Sequence, residues 1–509
     1  MSNTLSRRNA LGGIAAALVV GWSASRGSWI TAPAHADTDV ASVPQLDGSL
    51  TTSADALSSF GHDFGRLVTG DPWAVLRPGS VRDVQKVVRY AAEHNLKVAV
   101  NGRSGRDDDI ESHSSHGQAL VPGGVAIDAR GLAEITNLDP GNGTAVVEAG
   151  VTWADLTNAA LEHGMTPPAL PDYLHLSVGG TLSVGGIGGT AHRYGLLVDT
   201  VTSLEVVTGR GDLVTASPTQ NTALFDAALG GGGQCGVIVR ATVDLVSAPQ
   251  YVLFCSLFYD DLETYMAAQE KAMEEERFDA QAGELLVPQE GQPSWRYKLE
   301  GVAYFTDEEP DRDELLADLN DNRSEAEIVT MPYRAYAFRL NEYEDYLKAN
   351  GFWDQQKPWL SLFLPASRTQ EFLELIQQEV TAQDLGAGFT ICYPYPTSKS
   401  TRPMVAQPRD ETTYLFDLLR FPPPGDVDSE RMMQQNRHLF DEAVRMGGKR
   451  YLVGAIPDMT TRDWKWHFGW RWHTLLRAKM WYDPWNVLTP GQGFFPWGRL
   501  GSAEEEQGE

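Results

Sequence analysis

The chain has 509 residues, 42% of them hydrophobic and 10% aromatic, enough to bury a large core and too many for one ordinary compact domain. With 41 Lys and Arg against 68 Asp and Glu, the formal charge is −27, which disfavours a nucleic-acid partner or an anionic membrane surface. The 21% charged fraction, alongside many aromatics, excludes general disorder. Cys235, Cys255 and Cys392 lie far apart without paired spacing, so neither a disulfide scaffold nor a zinc ribbon is supported and at most one disulfide can form.

At the N-terminus, Ser6-Arg7-Arg8 precedes an apolar stretch from Ala10 to Trp22, and Ala34-His35-Ala36 offers small residues where a signal peptidase reads. This pattern predicts a twin-arginine export signal over 1–36, cleaved near Asp37, and hence a secreted or cell-envelope protein. The apolar stretch is too short to span a membrane, and no later segment is long and apolar enough.

From Trp73 onward short strands and helices alternate. Ser80 followed by Asp83 predicts a capping box, with Val81, Val84, Val88 and Ala91 forming the buried face of the helix. Leu96, Val98 and Val100 predict a half-buried strand, followed by a polar loop over 101–124 and a strand from Val125. Ala145–Val147 reads as a strand, and Thr152 with Asp155 caps a helix that stops at Gly164. Strands are expected over 201–215 and 236–245, which makes an α+β or α/β region ending near 248. Long charged helices at 260–277 and 428–446 and a proline-bounded strand at 357–365 mark a second domain. Residues 456–496 are rich in Trp, Pro and Gly, and 501–509 is an acidic tail.

Four segments could carry chemistry. The loop ESHSSHGQALVPGG at 111–124 presents two histidines and glycines between strands, where backbone N–H groups can approach an anionic cofactor. A metal reading of Asp107, Asp108, Asp109, His113 and His116 meets no standard zinc or calcium spacing. The segment PDYLHLSVGGTLSVGGIGG at 171–189 is expected to form neither a good helix nor a good strand and to wrap something flat or phosphorylated. It is neither a nicotinamide fingerprint nor a Walker loop. Asp172, just ahead of its glycines, also fits an ordinary cap or turn residue. LGGGGQCGVIV at 229–239 suits close backbone approach, and the aromatic run at 464–495 fits a strap closing the core.

Together with DFG at 63–65, VLRPGSVRDV, LEVVTGRGDLVT, KPWLSLFLP and YDPWNVLTPGQ, these segments occur in an order that resembles flavin-dependent oxidoreductases of the vanillyl-alcohol oxidase/p-cresol methylhydroxylase (PCMH) type, and among them cytokinin dehydrogenases. The likeness spans roughly 60–495. It implies an α+β fold in which a two-part PCMH-type FAD-binding domain, 37–248 plus the return at 456–500, encloses a substrate domain at 249–455 with an antiparallel sheet and flanking helices. It implies FAD, attached covalently through His113 of an S-H-S-x-x-G-Q pattern. Gly102, Ser114, Gln118, Ser177, Ser183, Ile187, Val237, Thr489 and Gln492 would hold the cofactor. Ser112 departs from the family's glycine, RDDDIE at 106–111 interrupts the usual approach, and Tyr173 stands where some relatives carry a second flavin-linking cysteine.

By the same resemblance Asp172 accepts the substrate N–H as a hydride leaves the neighbouring carbon for the flavin, and water then cleaves the imine into amine and aldehyde. The substrate is a small molecule and the electron acceptor is oxygen or a quinone. Ala282 and Ser361 stand where plant cytokinin dehydrogenases carry purine-directed polar groups. A vanillyl-alcohol-oxidase-type oxidase of another alcohol, sugar or secondary metabolite therefore remains an alternative, as does a flavin-binding protein without turnover.

Overall fold

The computed structural model describes residues 19–23, 28–31 and 40–496, apart from 103–104, 107–110, 290, 293 and 426–427. Most of the leader, the acidic tail and the core of the 106–111 insertion lie outside the described residues. Two larger sheets organise the first half of the molecule, beside a small three-stranded and a two-stranded one. In one, the strands Ala74–Arg77, Val125–Asp128 and Val98–Asn101 run parallel, with Ser49–Thr51 antiparallel at the edge. In the other, five antiparallel strands are ordered Leu213–Ala216, Val201–Thr208, Gly236–Asp244, Thr144–Glu148 and Ile135–Asp139. Val98 and Ala99 are both buried, so the expected half-buried alternation fails there. A parallel strand covered on both faces reads as a continuous apolar run instead.

The helix Val81–Glu93 buries Val84, Val88 and Ala91 as its spacing predicts, with Val87 buried beside them and Val81 only half-buried, but its start differs from the expected capping box. Ser80 makes no side-chain cap bond, and its hydroxyl donates to Asp47. Asp83 turns away from the helix end to accept from the amides of Asp47, Gly48 and Gly79. A fully buried carboxylate takes three backbone donors in preference to one. Thr152 and Asp155 do cap Trp153–Leu161.

Two four-stranded antiparallel sheets follow. One is ordered Ala280–Leu286, Arg296–Phe305, Tyr251–Tyr259 and Glu327–Pro332; the other Phe389–Pro396, Thr412–Leu419, Leu360–Pro365 and Lys449–Arg450. Their edges meet at Thr390, whose hydroxyl accepts from Leu285 N and donates to Leu285 O. The helices Leu262–Glu274, Ala366–Glu379 and Ser429–Arg445 pack on this surface, each sealing apolar residues into a core containing Leu257, Leu299, Leu362, Phe372, Phe416 and Leu439.

The C-terminal segment returns to the first half of the molecule. Thr489 N donates to Val98 O and Val98 N to Val487 O, so residues 487–489 run beside Val98–Asn101. Lys479 and Asp483, both fully buried, pin this return. The ammonium bonds the carboxylate at 2.7 Å and the carbonyls of Gln234 and Leu488, and Asp483 accepts from the amides of Val487 and Leu488. Phe494 and Phe495 pack against Trp464 and Trp472.

Candidate active site

One cavity of about 710 Å³ lies among these sheets, within the ordinary size range of cofactor and substrate sites. Gly102, His113, Ser114, Gln118, Asp172, Ser177, Ser183, Ile187, Val237, Thr489 and Gln492, singled out on sequence grounds, all line it. Its lining falls into two groups of different chemistry, called its two ends below, which meet where Tyr173 stacks on His113 with ring centroids 5.7 Å apart.

At the first end the backbone of 63–65 bonds the histidine loop: Phe64 N donates to Ser112 O and Gly65 N to Ser114 O. Asp63, completely buried, accepts from the Ser114 hydroxyl at 2.8 Å and from the amides of Gly117 and Arg66. Burial pushes the Asp63 carboxyl up to about 6, against the lowering effect of those bonds. His113 stacks on Phe64 with ring centroids 4.4 Å apart, and Lys357 Nζ sits 4.2 Å above the same Phe64 ring. Burial first and the Lys357 charge second bring the His113 pKa down to about 3, so the imidazole is neutral at physiological pH. Its Nδ1 is buried without a hydrogen-bond partner.

The glycine-rich segments close around this end. Contrary to the expected absence of regular structure, Val178–Val184 is a short helix with Ser177 as its N-cap. Its first amides are already engaged: Val178 N bonds Val151 O, Gly179 N bonds Ala149 O, and Gly180 N bonds Ser177 Oγ. Its glycines therefore serve close packing more than free donation. At Gly102 a Cβ would lie 2.2 Å from Ser177 Oγ, so only glycine lets these two walls meet. Gly233, at φ +70°, accepts the Thr489 hydroxyl through its carbonyl oxygen. Gln118 faces the cavity with its amide committed to the protein, Oε1 accepting from His116 N and Nε2 donating to Gly454 O. Gln492 Oε1 is buried without a partner.

At the second end the wall is apolar, with Phe254, Tyr343, Phe389, Ile391 and Leu419, and into it project charged groups from distant parts of the chain. Asp172 Oδ1 accepts from Arg339 Nη2 at 2.7 Å, and the guanidinium lies 4.6 Å from the Tyr336 ring centroid. Lys298 bridges Glu284 and Glu300 at 2.7 and 2.8 Å. Glu344 accepts from Tyr173 Oη, Arg106 and Lys348 and ties the histidine loop to the substrate side. Burial alone would raise its carboxyl, but the bonds from Lys348 and Tyr173 outweigh it and its pKa is lowered.

Sequence reasoning missed Arg339, Lys298, Glu300, Glu344, Lys357 and Asp417. Their contacts include partners 167 residues away for Asp172–Arg339 and 238 for Arg106–Glu344, and no local pattern marks them as cavity residues. Asp417 alone had a local sign, an acid at an inward position of a strand that is otherwise apolar on that face. The three cysteines are free and buried, and none lines the cavity.

The first end fits a flavin dinucleotide. It offers a neutral histidine with an unpartnered ring nitrogen, a buried unpartnered amide oxygen, and glycine walls at 102, 180 and 233 where a single hydroxyl is the nearest obstacle to a Cβ. A flavin site beside an apolar chamber with paired charges defines a FAD-dependent oxidoreductase with a PCMH-type FAD-binding fold. Comparison with known proteins agrees: residues 72–217 match the family described as FAD binding domain, and residues 286–495 the family described as Cytokinin dehydrogenase 1, FAD and cytokinin binding.

Among curated proteins, the uncharacterized oxidoreductase ORF5 in the fasciation locus of Rhodococcoides fascians is 39% identical over 448 residues, covering 88% of this chain and 99% of its own. Cytokinin dehydrogenase 6 of Oryza sativa subsp. japonica is 33% identical over 502 residues, covering 90% and 92%. Cytokinin dehydrogenase 1 of Arabidopsis thaliana is 32% identical, covering 89% and 84%. The chain belongs to the cytokinin dehydrogenase family of FAD-dependent oxidoreductases, enzymes acting on CH–NH or CH–OH groups.

Proposed function

We propose that the chain is an exported enzyme that oxidises a small secondary amine of the cytokinin type at the carbon beside its N–H, with FAD linked covalently through His113. The observation that carries this reading is that a neutral His113 and the Asp172–Arg339 pair line one shared cavity. Residues 37–248 and 456–500 form the cofactor domain in this reading, and 249–455 the substrate domain.

Bound FAD supplies the two-electron acceptor. The protein's part is to hold the substrate, exclude water and move one proton. Arg339 fixes Asp172 through Oδ1, leaving Oδ2 to accept the substrate N–H. As that proton passes to the carboxylate, loss of hydride from the adjoining carbon becomes easier. The product is an imine, which water converts to an amine and an aldehyde with cleavage of the C–N bond. Phe254, Phe389 and Ile391 keep the reacting end dry. Oxygen or a quinone then takes the electrons.

A second reading, oxidation of an alcohol, is favoured by Ala282 and Ser361, both of which line the cavity where purine-directed polar groups were expected. Anaerobic mixing of the purified yellow protein with allylic secondary amines and with benzylic or sugar alcohols separates the two. Bleaching by amines alone supports the first, and bleaching by alcohols alone the second. Export is tested by replacing Arg7 and Arg8 with Lys, which should retain the protein in the cytoplasm.

A further inference from the structure

The strand Thr412–Leu419 turns Leu415, Asp417 and Leu419 toward the cavity, the period-two face of an otherwise apolar wall. Asp417 is only 7% exposed. Directly across one strand pair stands Ser361, and across the other Ile391, and both line the same cavity. Side chains directly opposed on neighbouring strands share a face, so a carboxyl and a hydroxyl sit together in an apolar chamber. Asp417 Oδ1 has no hydrogen-bond partner in the protein.

Buried polar atoms are rarely left unsatisfied without a role. The cavity's cationic side chains among the described residues are Lys298 and Arg339, already paired with Glu284 and Glu300 and with Asp172. Asp417 thus has no cation of its own, and the acids at this end outnumber the bases. Burial pushes its carboxyl up to about 7, against a lowering contribution from the Ser361 hydroxyl and with the Asp172 charge adding to the rise, as expected for a buried acid without a cation beside it.

We propose that Asp417, with Ser361 beside it, is a second substrate anchor that accepts hydrogen bonds from a nitrogen-bearing donor group of the ligand, an amine, amidine or ring N–H. This group is distinct from the N–H engaged by Asp172, so the inference rests on the secondary-amine reading and narrows it: the substrate carries two separate nitrogen donors. An apolar ligand, or one whose far end only accepts hydrogen bonds, leaves Asp417 buried and unpaired and is selected against.

The test is binding to the holoprotein, measured by calorimetry with benzamidine, which carries amidine donors and has no hydrogen to lose at its reacting position, and with acetophenone, a neutral isostere without N–H. Benzamidine should bind wild type at least about 10-fold more tightly than acetophenone, because a charge-assisted bond to a buried carboxylate is among the stronger kinds. The isosteric variant Asp417→Asn should cut that preference to about 2-fold or less, and Asp417→Leu should abolish it. A wild type without preference for benzamidine, or a preference unchanged in Asp417→Asn, overturns the anchor.

The outcome is independent of turnover. If amines fail to bleach the flavin yet the preference collapses in Asp417→Asn, the anchor stands and the reaction assignment falls. If amines bleach it and the preference is unchanged, the reverse holds.

Discussion

The two ends of the cavity are built in different ways. The histidine end is made by backbone: glycines that let walls meet, a short helix capped by Ser177, and a loop stitched to 63–65 by main-chain bonds. The other end is made by side chains in ion pairs, some from distant segments, as Asp172 and Arg339, and some from adjoining strands, as Lys298 and Glu284, together with one acid that has no cation. A cofactor common to many chemistries can be held by geometry that tolerates little change, whereas a substrate is distinguished by a few exchangeable polar groups set in an apolar wall.

The largest expected effect lies where the first end depends on one atom. His113→Ala should release all flavin from the polypeptide on acid denaturation, whereas wild type should keep its yellow colour on the protein; equal retention would remove His113 as the attachment point. At the other end Asp172→Asn should lower kcat/KM for amines by about 10²–10⁴-fold, the usual range for one proton-transferring side chain. Flavin content should be unchanged, which separates the two ends.

Lys479→Met should destabilise the fold by about 3–5 kcal/mol in chemical denaturation, because Asp483 would be left buried without its partner. The loss should carry flavin affinity with it, since that pair pins the returning segment with Thr489 and Gln492. A variant as stable as wild type would show that the return does not depend on the ion pair.

Asp63 gives a pH signature. Its carboxyl, raised by burial from an ordinary 3.8 to about 6, holds its proton more tightly in the folded protein than in the unfolded chain. The stability linked to that proton is present in full below about pH 4 and is lost as pH rises through about 6, on the order of 2–3 kcal/mol. Asp63→Asn should flatten this part of the stability curve between pH 4 and 6. The smallest effect is expected from Tyr173→Phe, which deletes the bond to Glu344 and should cost about 1.5–3 kcal/mol at most, with a modest rise in KM and little change in flavin attachment.

The contrast between the two ends also explains what was legible in the sequence. The histidine loop and the glycine-rich segments are local patterns that carry the family resemblance, and it was that resemblance, more than the spacing itself, that named the residues of the first end, including Thr489 and Gln492 on the returning segment. Even there, tertiary contacts overrode local rules. Asp83 left its expected cap for three backbone amides, and the run at 178–184 became a helix because Ser177, Val151 and Ala149 satisfy its first amides. At the second end Asp172 was visible, but Arg339, which holds it, was not. That pair exists only because a loop and the turn between two helices, separated by 167 positions, are packed together. The same holds for Lys357 over Phe64, whereas Lys298 meets Glu284 across one strand pair and Glu300 two residues along its own strand. Asp417 was readable in principle as an acid on an apolar strand face, but its meaning depends on the cavity.

The most direct test of the central claim, one cavity in which a flavin faces Asp172, is rapid anaerobic mixing of wild type and Asp172→Asn holoprotein with an allylic secondary amine while flavin absorbance is followed. The account predicts bleaching in wild type and bleaching at least about 100-fold slower in the variant at equal flavin content. Equal rates in the two proteins would contradict it.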